Sequence, residues 1–178
     1  MRVIVLYASR YGSTKGIAEF IAEKLRQRGV QAEARSVDAA PDPGDYDAVV
    51  IGSAVYMGHW MKEAVEFVRR NRTALTGMPV WLFSSGPLEL GPEIASIDDP
   101  KLEPEEISGF LEAIHPRGHR VFFGALDPGK LGFMHRTLRK LPAARAILPE
   151  GDFRDWNNIE AWAESIAHAL ATQPVAPA

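Results

Sequence analysis

Residues 49–60 read "VVIGSAVYMGHW". Ala48–Ser53 is a strand buried on both faces, because no polar residue alternates through its apolar run. After it come a tyrosine, a methionine, a glycine, a histidine and a tryptophan. A buried strand that opens into a glycine-containing aromatic loop is placed to meet a flat ligand. Tyr56, His59 and Trp60 could stack on a planar ring, and Gly58 gives the Gly58–His59 peptide unusual freedom. The competing reading packs Tyr56 and Trp60 against the next helix, whose apolar stripe starts at Met61.

The same pattern recurs outward in both directions. Val3–Ala8 is a short apolar strand that breaks into "SRYGST", residues 9–14. From Thr14 to about Arg28, Ile17, Phe20, Ile21 and Leu25 form one helical stripe, closed by Gly29. Gln31–Val37 reads as a second strand and "DAAPDPGDY" as a loop. Met61, Ala64, Val65 and Val68 mark a helix, and Pro79–Ser84 a fourth strand. A long loop, Pro87–Glu105, leads to a stripe at Ile107, Phe110, Leu111 and Ile114. Arg120–Leu126 reads as a fifth strand. Ile159, Trp162, Ala163, Ile166 and Leu170 form the last helix, and 172–178 is expected to be a flexible tail. Strands alternating with helices predict one α/β domain over residues 1–171, with a parallel sheet covered on both faces. Ligands in such sheets bind beyond the carboxyl ends of the strands, so the loops after strands one, three and four are the candidates.

Ser9, Arg10, Tyr11, Gly12, Ser13 and Thr14 open a helix, where free N–H groups and the dipole favour an anion. The dinucleotide fingerprint needs three glycines, but only Gly12 and Gly16 are present. The triphosphate loop needs Gly-Lys-Ser/Thr, but Gly16 follows Lys15. A single phosphate of a mononucleotide fits better. The alternative is a helix start capped by its own Ser and Thr side chains.

"SRYGST" resembles the phosphate loop of flavodoxins. "GSAVYMGHW" resembles their loop beside the isoalloxazine ring, and "FSSGP" falls where their third flavin loop stands. "FFGALD" and "GDFRDWNNIEAWAESIA" are similar to the menaquinone-dependent protoporphyrinogen dehydrogenase-like branch. The resemblance implies a flavodoxin-like three-layer sandwich with a five-stranded parallel sheet of order 2-1-3-4-5. It implies FMN, with Ser9–Thr14 around the phosphate. Ala54, Val55, Tyr56, Met57, Gly58 and His59 would lie on one side of the ring, and Ser85, Gly86 and Pro87 on another. It further implies an oxidoreductase passing electrons from an organic, porphyrinogen-type substrate to a quinone. The rival is an electron carrier that docks redox partners without a substrate of its own. A flavodoxin-like fold without flavin, serving as an interaction module, is a third reading. In flavodoxins a peptide of the second loop turns over on reduction, and Gly58 is the place for it here. "SSGPLELG" has no aromatic residue, which would leave one ring face open or resting on Leu88 or Leu90. His59 is the ring-side candidate for acid–base work. With few carboxylates near the ring, the potential is expected to be less negative than in an acidic flavodoxin.

The chain has 178 residues and a net charge of −3, which gives no basic surplus for nucleic acid. It contains no cysteine, which removes thiolate chemistry and disulfides. His115, His119 and His168 lack metal-ligand spacing, so no metal is expected, and no Gly-x-Ser-x-Gly elbow supports a hydrolase. No signal peptide or bilayer-length run is seen, so a cytoplasmic protein is expected. Lys130–Arg145 carries a basic face opposite Leu131, Met134, Leu138 and Leu141. That face could contact the inner face of an anionic membrane or hold an acidic substrate; otherwise it is a solvated helix face. Asp152 and Asp155 are read as marking a helix start rather than a catalytic pair.

Overall fold

A computed structural model describes residues 1–127, 129 and 150–172. The elements are β1 (Arg2–Ala8), α1 (Ser13–Gln27), β2 (Gln31–Ser36), β3 (Ala48–Tyr56), β4 (His59–Trp60), α2 (Lys62–Arg70) and α3 (Arg72–Thr76). They continue as β5 (Val80–Ser85), α4 (Glu106–Ile114), β6 (Gly118–Phe122), β7 (Ala125–Leu126), β8 (Gly151–Asp152) and α5 (Trp156–Ala171). The apolar runs become the middle of the sheet. β1, β3 and β5 are buried on both faces because helices cover each side. Side chains alternate between two cores. Val3, Val5, Val50, Trp81 and Phe83 face α1 and α5. Ile4, Leu6, Val49, Ile51 and Leu82 face α2, α3 and α4.

The parallel strands lie in the order β2-β1-β3-β5-β6. This is the expected 2-1-3-4-5 arrangement, with β4 as an added antiparallel return on β3. β1 is flanked by β2 and β3, so chain order reverses there and the loops after β1 and β3 part to opposite faces. α1 ends where glycine allows it. Gly29 has φ 82°, and the Gly29 and Val30 N–H groups bond back to the Arg26 and Leu25 carbonyls. Gly52 of β3 lies under the Phe83 ring, where a Cβ would sit 1.9 Å from ring carbon Cζ.

Several boundaries differ from the sequence reading. β3 runs on to Tyr56, past Ser53, because β4 pairs with its end. The expected fifth strand at Arg120–Leu126 is two strands: β6 stops at Phe122, and β7 pairs antiparallel with β8. Leu111 is 42% exposed and leaves the buried stripe of α4 to Ile107, Phe110 and Ile114. The Pro87–Glu105 loop is tied down at several points. Arg120 pairs with Asp98 at 2.8 Å, and the Asp99 side chain accepts the Lys101 N–H at 3.0 Å. Asp155 caps α5 by accepting the Asn158 N–H at 3.1 Å, while Asp152 pairs with Arg154 instead. The basic segment Lys130–Arg145 and the end of the expected tail, 173–178, lie outside the described residues.

Candidate functional site

A cavity of about 620 Å³ opens at the carboxyl ends of β1, β3 and β5. That volume suits a ligand of mononucleotide size. Ser9, Arg10, Tyr11, Ser13 and Thr14 form one wall, and Ala54, Val55, Tyr56 and Met57 a second. Ser85, Gly86, Pro87, Leu88 and Glu89 form a third, and Gly124, Ala125 and Leu126 a fourth. Gly12 borders the adjoining hollow beside Asp152 and Arg154.

The first wall is built around a helix start. Gly12 precedes α1 in the left-handed region at φ 90°, which suits glycine. The Ser9 hydroxyl accepts the Gly12 N–H at 3.1 Å, and no side chain among the described residues caps α1. The first-turn N–H groups therefore have no side-chain acceptor among the described residues. Thr14 is fully buried, and its Oγ1 has no hydrogen-bond partner among the described residues. An unsatisfied buried hydroxyl costs roughly 1–3 kcal/mol, so an acceptor or donor supplied by a ligand would relieve it. An uncapped helix start beside a lone buried hydroxyl fits a phosphate ester. Ser13 ties this wall to the others. Its hydroxyl accepts the Ala125 N–H at 2.9 Å and lies 3.4 Å from the Ser85 hydroxyl. The Arg154 guanidinium, bound to the Asp152 carboxylate, lies over the Trp156 ring and donates to the Ser13 carbonyl at 3.4 Å. It fills the space where a Cβ on Gly16 would stand, 2.6 Å from Nη1.

The second wall is a tight hairpin where an open loop is expected. Val55 pairs with Trp60 and Tyr56 with His59. Met57 and Gly58 between them both have positive φ, 53° and 83°, as a type I′ turn requires. Tyr56 lines the cavity at 39% exposure, and Met57 stands at its rim, 98% exposed. Burial raises the Tyr56 phenol pKa, against the pull of Arg10, whose guanidinium lies 5.4 Å from the ring centre. Trp60, read as a stacking candidate, belongs to the core instead. It is 4% exposed and meets Phe110 edge-on, with ring centres 5.3 Å apart. Its indole N–H donates to Ser84 Oγ at 2.8 Å, and Ser84 Oγ lies 2.8 Å from His119 Nε2. Burial pushes His119 down to about 4, so this imidazole is neutral at neutral pH.

Gly58 and His59 stand outside the cavity lining. His59 borders a groove with Arg69, Arg72 and α4, and its Nδ1 lies 3.0 Å from a Glu106 carboxylate oxygen. The Gly58 carbonyl accepts the Glu105 N–H at 3.1 Å. The expectation of few carboxylates near the ring loses its premise, because Glu89 lines the cavity and His59 is matched by Glu106.

At the third wall, Gly86 allows a close approach. A Cβ there would lie 3.1 Å from Val55 Cβ, and the Gly86 N–H donates to the Phe122 carbonyl at 3.2 Å. Leu88 lines the cavity, but Leu90 does not. The fourth wall is not among the residues expected from sequence. Gly124 follows the end of β6, and its N–H donates to the Pro87 carbonyl at 2.9 Å. The rule that ligands meet the carboxyl ends of strands, applied to the fifth parallel strand as well, points to it.

Comparison with known proteins agrees with this architecture. The sequence profile of the family described as "Flavodoxin domain" matches residues 4–146. Protoporphyrinogen IX dehydrogenase [quinone] of Escherichia coli strain K12 is 29% identical, over 94% of this chain and 96% of that protein. A flavodoxin from the domain Archaea superposes with a TM-score of 0.61 at 14% identity, covering 96% of this chain and 99% of that one. Oxidised flavodoxin 1 of Bacillus cereus superposes with a TM-score of 0.59 at 12% identity, covering 98% of this chain and 100% of that one.

Proposed function

Because the chain belongs to the flavodoxin domain family, we propose that its cavity holds FMN and that it is an FMN-dependent oxidoreductase. It would oxidise an organic, porphyrinogen-type substrate and pass the electrons to a quinone-type acceptor. The observation that carries the cofactor reading is Thr14, a fully buried hydroxyl that has no partner among the described residues, at the start of a helix that none of their side chains caps. Ser9, Ser13, Thr14 and the first-turn N–H groups of α1 would hold the phosphate. Ala54, Val55 and Tyr56 would line the ring on one side and Ser85, Gly86 and Pro87 on another. Bound FMN would supply the electron exchange with substrate and acceptor. The chain's own residues bind, orient and shield. Met57 and Tyr56 are exposed at the rim, where a second molecule would approach. The substrate and acceptor rest on the E. coli relative, which matches nearly the whole chain.

The test is an absorption spectrum of the purified protein, before and after FMN addition and gel filtration, followed by turnover of protoporphyrinogen with a quinone. Retained flavin with turnover is the expected result. Flavin that a reductase reduces without substrate turnover would make the protein an electron carrier. A protein that rejects FMN would overturn the cofactor reading.

A further inference from the structure

The hairpin at the end of β3 is held in a conformation that its own sequence does not favour. Met57 adopts φ 53°, disfavoured for a residue with a Cβ, and its side chain is 98% exposed, so packing does not compensate. Only two residue pairs join β4 to β3, and so short a ribbon is not stable alone. A strained turn persists where its surroundings over-determine it.

Those surroundings are the corner that enters α4. The Glu105 N–H donates to the Gly58 carbonyl at 3.1 Å. The Glu106 carboxylate accepts the Trp60 N–H on Oε2 at 3.0 Å, while Oε1 lies 3.0 Å from His59 Nδ1. Glu106 is only 17% exposed. Burial pushes its carboxyl upward, but the Trp60 N–H, its own backbone N–H and His59 together outweigh that and keep it below the ordinary carboxylate range. One carboxylate thus grips two consecutive residues on the return side of the turn, while Val55, Tyr56 and Met57 on the other side line the cavity.

We propose that Glu106 is a positioning residue for the cofactor: through Trp60 and His59 it sets the Met57–Gly58 turn and hence the hairpin face turned towards the flavin ring. The proposal rests on the reading of the cavity as an FMN site. It also gives the preceding loop a role, because the loop ends in the corner that clamps the hairpin.

Two substitutions separate reach from charge. Glu106→Gln keeps the reach, with one acceptor and one donor, and loses the charge. Glu106→Asp keeps a negative charge at the start of α4 and is one methylene too short to hold both contacts. FMN affinity by fluorescence titration is expected to fall about tenfold in Glu106→Asp, the loss expected for one hydrogen bond to a charged group, and to stay within about threefold of the parent in Glu106→Gln. Amide hydrogen exchange at Trp60, followed without added flavin, should quicken in Glu106→Asp and not in Glu106→Gln. If Gln is the more damaging of the two, or if Trp60 exchange is the same in Asp and parent, Glu106 serves only as a helix-terminal charge and the proposal fails. If the parent protein binds no FMN, the functional reading fails by itself, while normal Trp60 exchange in Glu106→Asp would still remove the clamp.

Discussion

Burial acts strongly on the ionisation of His119. It sits in β6 with its side chain 8% exposed, beside Ser84 and 3.8 Å from a Glu103 oxygen. Burial lowers its pKa from the ordinary 6.5 to about 4. As pH falls through 6.5 the unfolded chain takes up a proton that the folded chain refuses. The contribution is therefore whole above pH 6.5, is lost as pH falls towards 4, and amounts to about 3 kcal/mol in all. Urea unfolding at stepped pH should show a steeper loss over that range in the parent than in His119→Gln; parallel curves would contradict the burial argument. None of this was legible in the chain, where His119 is one of several scattered histidines. Its neighbours Ser84 and Trp60 are 35 and 59 residues away in sequence and meet it only through the sheet. Gly52 is a similar case. Its sequence setting is an unremarked apolar run, and its need for glycine comes from a ring that arrives from another strand.

Whole elements were legible wherever a period had room to repeat. The α1 stripe at Ile17, Ile21 and Leu25 and the stop at Gly29 could be read directly, because each turn adds one more matching residue. The hairpin was not, because its return strand is two residues long and offers no period. Its turn also carries only half the usual signal, since Gly58 is favourable at positive φ and Met57 is not. The split between β6 and β7 was hidden for a related reason: the apolar run continues across Gly124, and only the partner strand β8 shows where pairing changes. The end of α4 carries a residue that suits its place poorly. His115 terminates the helix in the left-handed region at φ 47°, where glycine is the usual choice. Replacing it with glycine should raise stability by about 1 kcal/mol. A lower melting temperature in His115→Gly would mean that the imidazole makes a contact worth more than the strain.

At the scale of the molecule, alternation of strand and helix placed the three candidate loops at one sheet edge, and the cavity is there. Sequence left out the wall at Gly124–Leu126, because its place depends on which strands lie side by side. The two cores are not closed in the same way. The face over α2, α3 and α4 is covered by residues before 115, whereas the face over α1 also needs α5. Trp162 of α5 meets Phe83 and Phe122 edge-on, with ring centres 6.0 and 5.5 Å away, and Ile159, Ile166 and Leu170 bury the rest of the stripe. A chain ended after Arg154 would leave that apolar face in water. It should bind a hydrophobic dye and melt without a cooperative transition. A sharp melt in that chain would show that the family fold closes without its last helix.

Arg154 gives this dependence a second meaning. Its guanidinium rests on the first turn of α1, in space left by Gly16, and donates to the Ser13 carbonyl, while Ser13 Oγ accepts the Ala125 N–H. The loop at residues 9–14 is made well before Ala125 and Arg154, the groups that brace it. During synthesis that loop must wait, partly assembled, until Arg154 has emerged. A product interrupted between the loop and these groups would be left with that loop unbraced.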